Sequence, residues 1–133
     1  MSQENLGIIL NDFIDALRRG DLATVAARLA PDVVWQGVRD GLDCRDRDEV
    51  WAVLGHFGQS QFRIDALELI DGGEQVVLGV RGPQFDQVGG VELGGQIFNV
   101  FTLHEQKIVH MRDYRTRADA VAAAGLSGHA EWR

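Results

Sequence analysis

Residues 94–114 form the segment GGQIFNVFTLHEQKIVHMRDY, from which the predicted fold is built outward. Apolar, β-branched and aromatic side chains dominate both of its halves, which is the composition of strands. The polar tripeptide at 104–106 between the halves is short enough for a hairpin. We therefore predict antiparallel strands over residues 94–103 and 107–114.

Two more strands are predicted upstream, over residues 62–70 and 74–81, on either side of the turn sequence Asp71-Gly72-Gly73. Residues 82–90 make a longer loop that contains glycine. An antiparallel meander is the simplest topology for these four strands.

The N-terminal part of the chain has helical periodicity. Apolar residues recur at three- and four-residue spacing over residues 5–19, which predicts an amphipathic helix that ends at Gly20. Asp21 is a candidate N-cap for a second helix over 22–30, because Pro31 disfavours helical geometry in the residue before it. The two helices make a tight hairpin.

Three further elements complete the predicted order. Residues 33–38 are a short strand, residues 48–57 a third helix and residues 117–124 a last helix, followed by a loosely held tail at 126–133. Helices first and antiparallel strands second are typical of one α+β domain over residues 1–133. In this fold a curved antiparallel sheet packs against the helical hairpin and the third helix.

The outer face of the sheet is predicted to be apolar as well. The residues assigned to it are Val76, Leu78, Val80, Phe98 and Val100. A large exposed apolar patch usually marks an interface. The sequence therefore predicts a homodimer through this outer face.

Charge and composition exclude other classes of protein. The net charge of −7 argues against nucleic-acid binding, since phosphate recognition depends on clustered Lys and Arg. No apolar run approaches the roughly 20 residues of a membrane span. The first ten residues, MSQENLGIIL, lack the pattern of a secretory signal, so we expect a cytoplasmic location.

Metal and cofactor sites are not expected. Cys44 is the only cysteine and is expected to be a small buried residue. None of the four histidines has the spacing of a metal-binding pair, and no glycine pattern suits a bound nucleotide.

Two polar residues interrupt apolar rows in the last two strands. Alternation places Asn99 in a row with Phe101, and Asp113 in a row with Val109 and Met111. A carboxylate on the inner face of the sheet would be partly desolvated, which raises its pKa toward the range of a general acid or base. The amide could bond a substrate oxygen.

Each of these residues also has a structural interpretation. Asp113 could instead pair with Arg81, Arg112 or Arg115 near the strand end. The aromatic residues assigned to the interior could line a cavity for a small apolar molecule, or could be plain core; they are Phe13, Trp35, Trp51 and Phe57.

Residues 12–35, DFIDALRRGDLATVAARLAPDVVW, and residues 94–125, GGQIFNVFTLHEQKIVHMRDYRTRADAVAAAG, resemble the SnoaL-like group of the nuclear transport factor 2 superfamily. The resemblance covers nearly the whole chain. Its most specific part is the Arg-Asp-Tyr at 112–114 ahead of a short helix. It implies a cone-shaped, cystatin-like α+β barrel, commonly dimeric, with a pocket at the wide end.

The superfamily includes polyketide cyclases, ketosteroid isomerases and limonene-epoxide hydrolases, beside members used only for binding. By resemblance to the epoxide hydrolases, Asp113 would activate water near Arg81, but their second acidic position falls on Pro83. By resemblance to the isomerases, Asn99 falls at an oxyanion position. Their oxyanion tyrosine falls near Phe13, and their general-base aspartate falls near Gly37, with Asp40 close in the following loop.

The resemblance thus implies a cofactor-free isomerase, cyclase or hydrolase that uses Asp113 as acid or base, with Asn99 beside it, on a small apolar carbonyl-type substrate. The expected pocket residues are Phe13, Trp35, Trp51, Phe57, Arg81, Phe101 and Met111. A non-catalytic ligand-binding or dimeric interaction module of the same fold is the alternative.

Overall fold

The computed structural model describes residues 2–38, 43–59, 64–88 and 90–125. The N-terminal half contains helix α1 in three consecutive segments (Ser2–Gly7, Ile8–Ile14 and Asp15–Arg19), helix α2 (Leu22–Ala27), strand β1 (Leu29–Gln36) and helix α3 (Arg47–Gln59). Strands β2 (Ala66–Gly72) and β3 (Gln75–Arg81) follow, then a 3-10 turn (Pro83–Phe85) and the short strands β4 (Gln87–Val88) and β5 (Val91–Glu92). The chain continues with strands β6 (Gln96–His104) and β7 (Lys107–Tyr114) and helix α4 (Arg117–Ala123). The predicted tail at 126–133 lies outside the described residues. Within the described ranges, no helix is both long and apolar enough to cross a bilayer.

Helix α1 contains a π-helical middle segment. The N–H of Asp15 donates to the carbonyl of Leu10, five residues back, where an α-helix would use the fourth. The wider turn changes which side chains face the core, so Ile8 is buried while Leu6 is only half-buried. The helix predicted over residues 5–19 ends at Arg19 as predicted but begins at Ser2, and not every residue of the predicted apolar stripe is buried.

The helical hairpin forms as predicted at its turn. Gly20 closes α1 with φ +74°, a left-handed conformation that favours glycine. Asp21 caps α2 through two bonds from Thr24, 3.2 Å from the backbone N and 2.7 Å from the hydroxyl. These bonds hold the pKa of Asp21 below its usual value.

Helix α2 ends earlier than predicted, because the chain enters strand β1 at Leu29. Strand β1 runs parallel to β7, and its register shifts between Leu29 and Val34. Pro31 lies within this irregularity, where its missing N–H costs little regular pairing. The prediction of a strand starting at residue 33 was wrong because a proline is tolerated at such an irregular edge.

Five strands form one curved sheet in the order β1-β7-β6-β3-β2. The β2-β3-β6-β7 part is the predicted antiparallel meander. Parallel strand β1 corrects the expectation of an antiparallel sheet throughout. The sheet is not closed, since β1 and β2 are its two edges. Residues 82–90 contain a 3-10 turn and strand β4, and with β5 that strand makes a small hairpin the sequence did not predict.

The predicted outer face needs correction. Strand register sets Leu78 opposite Asn99 and Val80 opposite Ile97, so the β3 residues Val76, Leu78 and Val80 face inward. The outward apolar residues are packed beneath helix α4; they are Ile70, Val77, Phe98 and Val100, against Ala120 and Val121. The bare outer patch that suggested a homodimer is thus covered by the chain itself, and the homodimer stays a prediction.

A bulge in β7 shifts one predicted row. The β6–β7 register steps from Thr102–His110 to Leu103–Ile108, leaving Val109 as the extra residue. Ile108 consequently faces the core and is fully buried, contrary to the simple alternation that placed Val109 there. Toward the strand's end the alternation is regular, so Met111 and Asp113 share the inner face.

The turn between β6 and β7 is anchored to the helices. Glu105 and Gln106 have φ of 50° and 66°, as a tight hairpin turn requires. Arg28 donates to the carbonyl of Gln106 at 3.2 Å and to Asp12 of α1 at 2.9 Å. The Gln106 amide also donates to Glu4. These contacts join the turn to the helices at the end of β7 opposite to Asp113.

Candidate active site

Asp113 is the single charged side chain that is buried among the described residues, with 7% of its surface exposed. Two neighbouring strands, β6 and β1, bring polar groups to it. Strand register sets Asn99 of β6 directly opposite Asp113 of β7, and sets Trp35 of β1 beside Met111. The site thus follows from side-chain direction in three adjacent strands.

Both polar neighbours donate to the same carboxyl oxygen. The indole Nε1 of Trp35 lies 2.8 Å from Asp113 Oδ1, and the amide Nδ2 of Asn99 lies 2.5 Å from that oxygen. Among the described residues, nothing donates to Oδ2 of Asp113. One oxygen is therefore fixed in place while the other is available to a ligand.

Burial dominates the electrostatics of this carboxyl group. It raises the pKa of Asp113 from 3.8 to about 7, while the bonds from Trp35 and Asn99 act to lower the pKa and only partly offset burial. A group with this pKa holds its proton or releases it near neutral pH. That is the property of a general acid or base.

The alternative of a structural ion pair is not observed. No arginine within the described ranges forms an ion pair with Asp113. The guanidinium of Arg112 instead lies 5.2 Å from the ring centre of Tyr114, and both belong to the outward row of β7. A buried carboxylate without a cation costs stability, and such costs are common at functional sites.

Asp113 opens into a cavity of about 460 Å³ between the sheet, α1 and α3. This is the volume of a small-molecule site. The lining is mostly apolar and consists of Phe13, Ile14, Leu17, Trp35, Gly37, Asp43, Cys44, Glu49, Ala52, Val53, Leu54, Leu78, Val80, Phe85, Ile97, Asn99, Phe101, Met111 and Asp113.

Six of the predicted site residues meet around this cavity: Phe13, Trp35, Asn99, Phe101, Met111 and Asp113. Phe13 and Phe101 pack edge to face with their ring centres 5.0 Å apart. This pair joins α1 to the sheet and forms part of the apolar wall. The structure therefore places aromatic residues both in the core and at the cavity.

Two predicted pocket residues lie elsewhere. Trp51 is 39% exposed. Successive helical residues are rotated by about 100°, so Trp51 points away from the face of α3 that buries Val50 and Leu54. The residues of α3 that line the cavity at its rim are Ala52 and Val53, not Trp51. Arg81 ends β3 with an exposed side chain and does not line the cavity. The side chain of Phe57 lies outside the described residues.

Cys44 lines the cavity, although the sequence predicted only a small buried residue. Its backbone pairs with Trp35 through bonds of 2.9 and 2.8 Å, which forms an isolated bridge beside β1. Burial raises the pKa of the Cys44 thiol, and nearby carboxylates, Glu49 first and then Asp113, add to the effect. This pairing was not predictable from local pattern, because a polar loop separates the two segments in the sequence.

The rim of the cavity was also missed. Asp43, Glu49, Ala52 and Val53 are exposed and line the cavity, so they mark its opening. Helical position alone could have found Val53, one turn after Glu49 on the same face. In the described parts of the chain, no group of three or more metal-ligating side chains is present.

Comparison with known proteins places this geometry in a family. A SnoaL-like domain model matches residues 10–111. No curated protein matches the chain by sequence. Among solved structures, an NTF-2 like protein of unknown function from Burkholderia xenovorans is 16% identical over 86% of this chain and 84% of that chain, with a TM-score of 0.65.

Two further structures are similar. An LEH-like epoxide hydrolase from M. tuberculosis is 20% identical over 92% of this chain and 90% of that chain, with a TM-score of 0.65. A protein with a cystatin-like fold from Xanthomonas campestris is 25% identical over 87% and 96%, with a TM-score of 0.62. These likenesses show the fold, and the domain match covers most of the chain. The protein therefore belongs to the SnoaL-like family of NTF2-like α+β proteins.

Proposed function

We propose that this protein is a cofactor-free enzyme that transfers a proton to or from a small apolar carbonyl-type substrate, with Asp113 as general acid or base. The observation that carries the proposal is the state of Asp113. The carboxyl group is buried, has no cation partner among the described residues, and lines a cavity of about 460 Å³, while its Oδ2 accepts no hydrogen bond from the described residues.

The geometry assigns separate roles to the two carboxyl oxygens. Because Oδ1 accepts bonds from Trp35 and Asn99, the proton of the neutral acid belongs on Oδ2. Oδ2 can then donate this proton to a substrate oxygen. In the ionised form Oδ2 can instead accept a proton from a carbon next to a carbonyl group, leaving an enolate.

Asn99 supports the same chemistry by positioning. It lines the cavity and bonds the carboxyl group, so it fixes the direction in which Oδ2 points. Trp35 performs the same task from β1. A base positioned in this way contributes about 10²- to 10⁴-fold in rate. The epoxide hydrolase fold relationship supports a small-molecule role for the cavity but not a particular reaction.

The first test is an Asp113→Asn variant. We expect the wild type to catalyse exchange of the α-protons of methyl naphthyl ketone for deuterium, followed by NMR. The variant should lose at least about 10²-fold in exchange rate with ketone affinity nearly unchanged, since only the proton acceptor is removed. Asp32→Asn, an exposed substitution away from the cavity, serves as the control.

The test also separates the alternative function. Ketone binding without exchange by the wild type would favour a non-catalytic ligand-binding module, which the mostly apolar lining of the cavity would equally suit. Undiminished exchange by the Asn variant would rule out Asp113 as the acid or base.

Two further expectations accompany the proposal. The homodimer was predicted from an exposed apolar patch on the outer sheet face, and helix α4 covers the outer apolar residues. A dimeric mass in light scattering at micromolar concentration would support it, and a monomeric mass would remove it. The cytoplasmic location likewise stays a prediction from the sequence.

A further inference from the structure

The opening of the cavity carries negative charge. Two of its exposed rim residues are carboxylates, Asp43 before α3 and Glu49 in the first turn of that helix. Asp113 is the third carboxyl group of the lining and lies at the inner end. A ligand therefore passes two carboxylates before it reaches the polar group at the bottom.

Both rim carboxylates are held in place by the backbone. Asp43 Oδ1 accepts a bond from the N–H of Gly37 at 3.3 Å, and Glu49 Oε1 accepts one from the N–H of Arg45 at 2.9 Å. Asp46 in turn accepts from the N–H of Glu49 at 2.9 Å, which caps α3. Glu49 is thus held by the contacts that start α3, and Asp43 by the backbone of Gly37.

The described part of the lining carries no positive charge. Among the described residues, no Lys, Arg or His lines the cavity. Arg45 and Arg47 are close in sequence but are exposed and do not contribute to the lining. In the described ranges no ion pair neutralises Asp43 or Glu49. A carboxylate or phosphate ligand would find no cation to bind.

We propose that Asp43 and Glu49 determine ligand charge, so that the cavity takes uncharged and cationic apolar molecules and rejects anionic ones. The inference rests on the cavity being the ligand site of the proposed function, and it narrows the substrate class. Carboxylates, sulfonates and phosphate esters are excluded, whereas ketones, epoxides and amines are admitted.

The physical basis is the interaction of charges at a partly solvated rim. An anion and a cation of similar size face similar desolvation costs in an apolar cavity, so their difference in affinity reports the sign of the local field. Since the rim is exposed, salt should weaken this field; the Debye length is about 8 Å at physiological ionic strength and about 3 Å at 1 M.

The experiment compares three probes with the same ring system: methyl naphthyl ketone, naphthylmethylammonium and naphthoate. Binding to the whole protein is measured by calorimetry at pH 6 and low salt. We expect naphthoate to bind at least about fivefold more weakly than naphthylmethylammonium. The difference should shrink on addition of 1 M sodium chloride, which a purely steric preference would not do.

The matched variants remove charge and keep shape. Asp43→Asn with Glu49→Gln retains an acceptor oxygen for Gly37 and Arg45, so the start of α3 should survive, as an unchanged melting temperature would show. This double variant should bind naphthoate more tightly, within about twofold of naphthylmethylammonium. Asp32→Asn with Glu105→Gln removes the same net charge from exposed residues outside the lining and should leave the difference intact.

The outcomes separate this inference from the proposed function. Equal binding of anion and cation by the wild type, or an unchanged difference in the rim variant, overturns the charge preference alone. A failure of all three probes to bind overturns the cavity as a ligand site and the charge preference with it. Ketone exchange that depends on Asp113 stands independently of the charge preference, so loss of that preference alone leaves the proposed function intact.

Discussion

At the scale of single residues, Asp113 couples stability to pH. Its pKa is raised from 3.8 to about 7, so between these values the unfolded chain releases a proton that the folded protein keeps. The unfolded state then binds fewer protons, and stability falls as pH rises through this window. Below about pH 4 both states are protonated and the destabilising effect is absent.

The Asp113→Asn variant isolates this contribution. The stability of wild type relative to the variant should fall by on the order of 4 kcal/mol from pH 4 to pH 8, because Asn does not titrate. Urea unfolding at several pH values measures both proteins, and the other carboxylates cancel in the difference. A difference independent of pH would mean that the carboxyl group is already ionised in the folded protein.

At the scale of elements, helix α4 acts as the cover of the outer sheet face. Its N-terminus is capped by Thr116, whose hydroxyl accepts from the N–H of Asp119 at 3.1 Å. Arg117 ties it to β2 through two bonds to Glu68, of 2.9 and 3.1 Å. Only a small part of either side chain is exposed, so this pair is more than a surface contact.

Substitution of Arg117 by Gln tests the attachment of α4. We expect a loss of about 1–3 kcal/mol in unfolding free energy, because Glu68 is left as a largely buried carboxylate without its cation. Arg115→Gln, at an exposed neighbouring position, should change stability by less than about 0.5 kcal/mol. Chemical denaturation measures the unfolding free energies of the two variants. Equal losses would show that the Arg117–Glu68 pair stabilises the protein no more than an exposed arginine does.

At the scale of the whole molecule, a ligand that binds in the cavity should raise the free energy of unfolding. A ligand at about 100 times its dissociation constant should add about 2.7 kcal/mol, or about 10 °C in melting temperature for a chain of this size. Thermal melting with methyl naphthyl ketone measures the shift.

A blocked opening provides the control for this shift. Ala52 is exposed at the rim, so Ala52→Trp should obstruct entry without overfilling the core. The variant should melt normally alone and show little stabilisation by the ketone. An equal shift in both proteins would place the ligand elsewhere on the molecule.

The sequence predicted the parts of this molecule that depend on local pattern. Alternation along β6 and β7 brought Asn99 and Asp113 to one face, because side-chain direction in a strand is fixed by the backbone alone. The helix–glycine–aspartate turn was predictable for the same reason, since Gly20 and Asp21 satisfy local conformational and capping needs.

The features that the sequence did not predict arise from contacts between distant segments. Alternation alone does not determine which face of β3 is inward. The pairing of β3 with β6 determines it, and this pairing turns Val76, Leu78 and Val80 toward the core, whereas the sequence predicted them on the outer face. Trp51 was misplaced because an apolar residue at a helix flank satisfies the same periodicity as a buried one. The rim charges of Asp43 and Glu49 depend on how a polar loop meets α3.

The anchoring of the β6–β7 turn bears on the route by which substrate and product enter and leave the cavity. Gln106 and Arg28 tie the far end of the sheet to the helices, and none of the residues in that cluster lines the cavity. The exposed residues of the described lining, Asp43, Glu49, Ala52 and Val53, lie instead at the rim of the cavity. A product that leaves past this rim uses the passage that the next substrate enters, so product release rather than proton transfer can set the turnover rate.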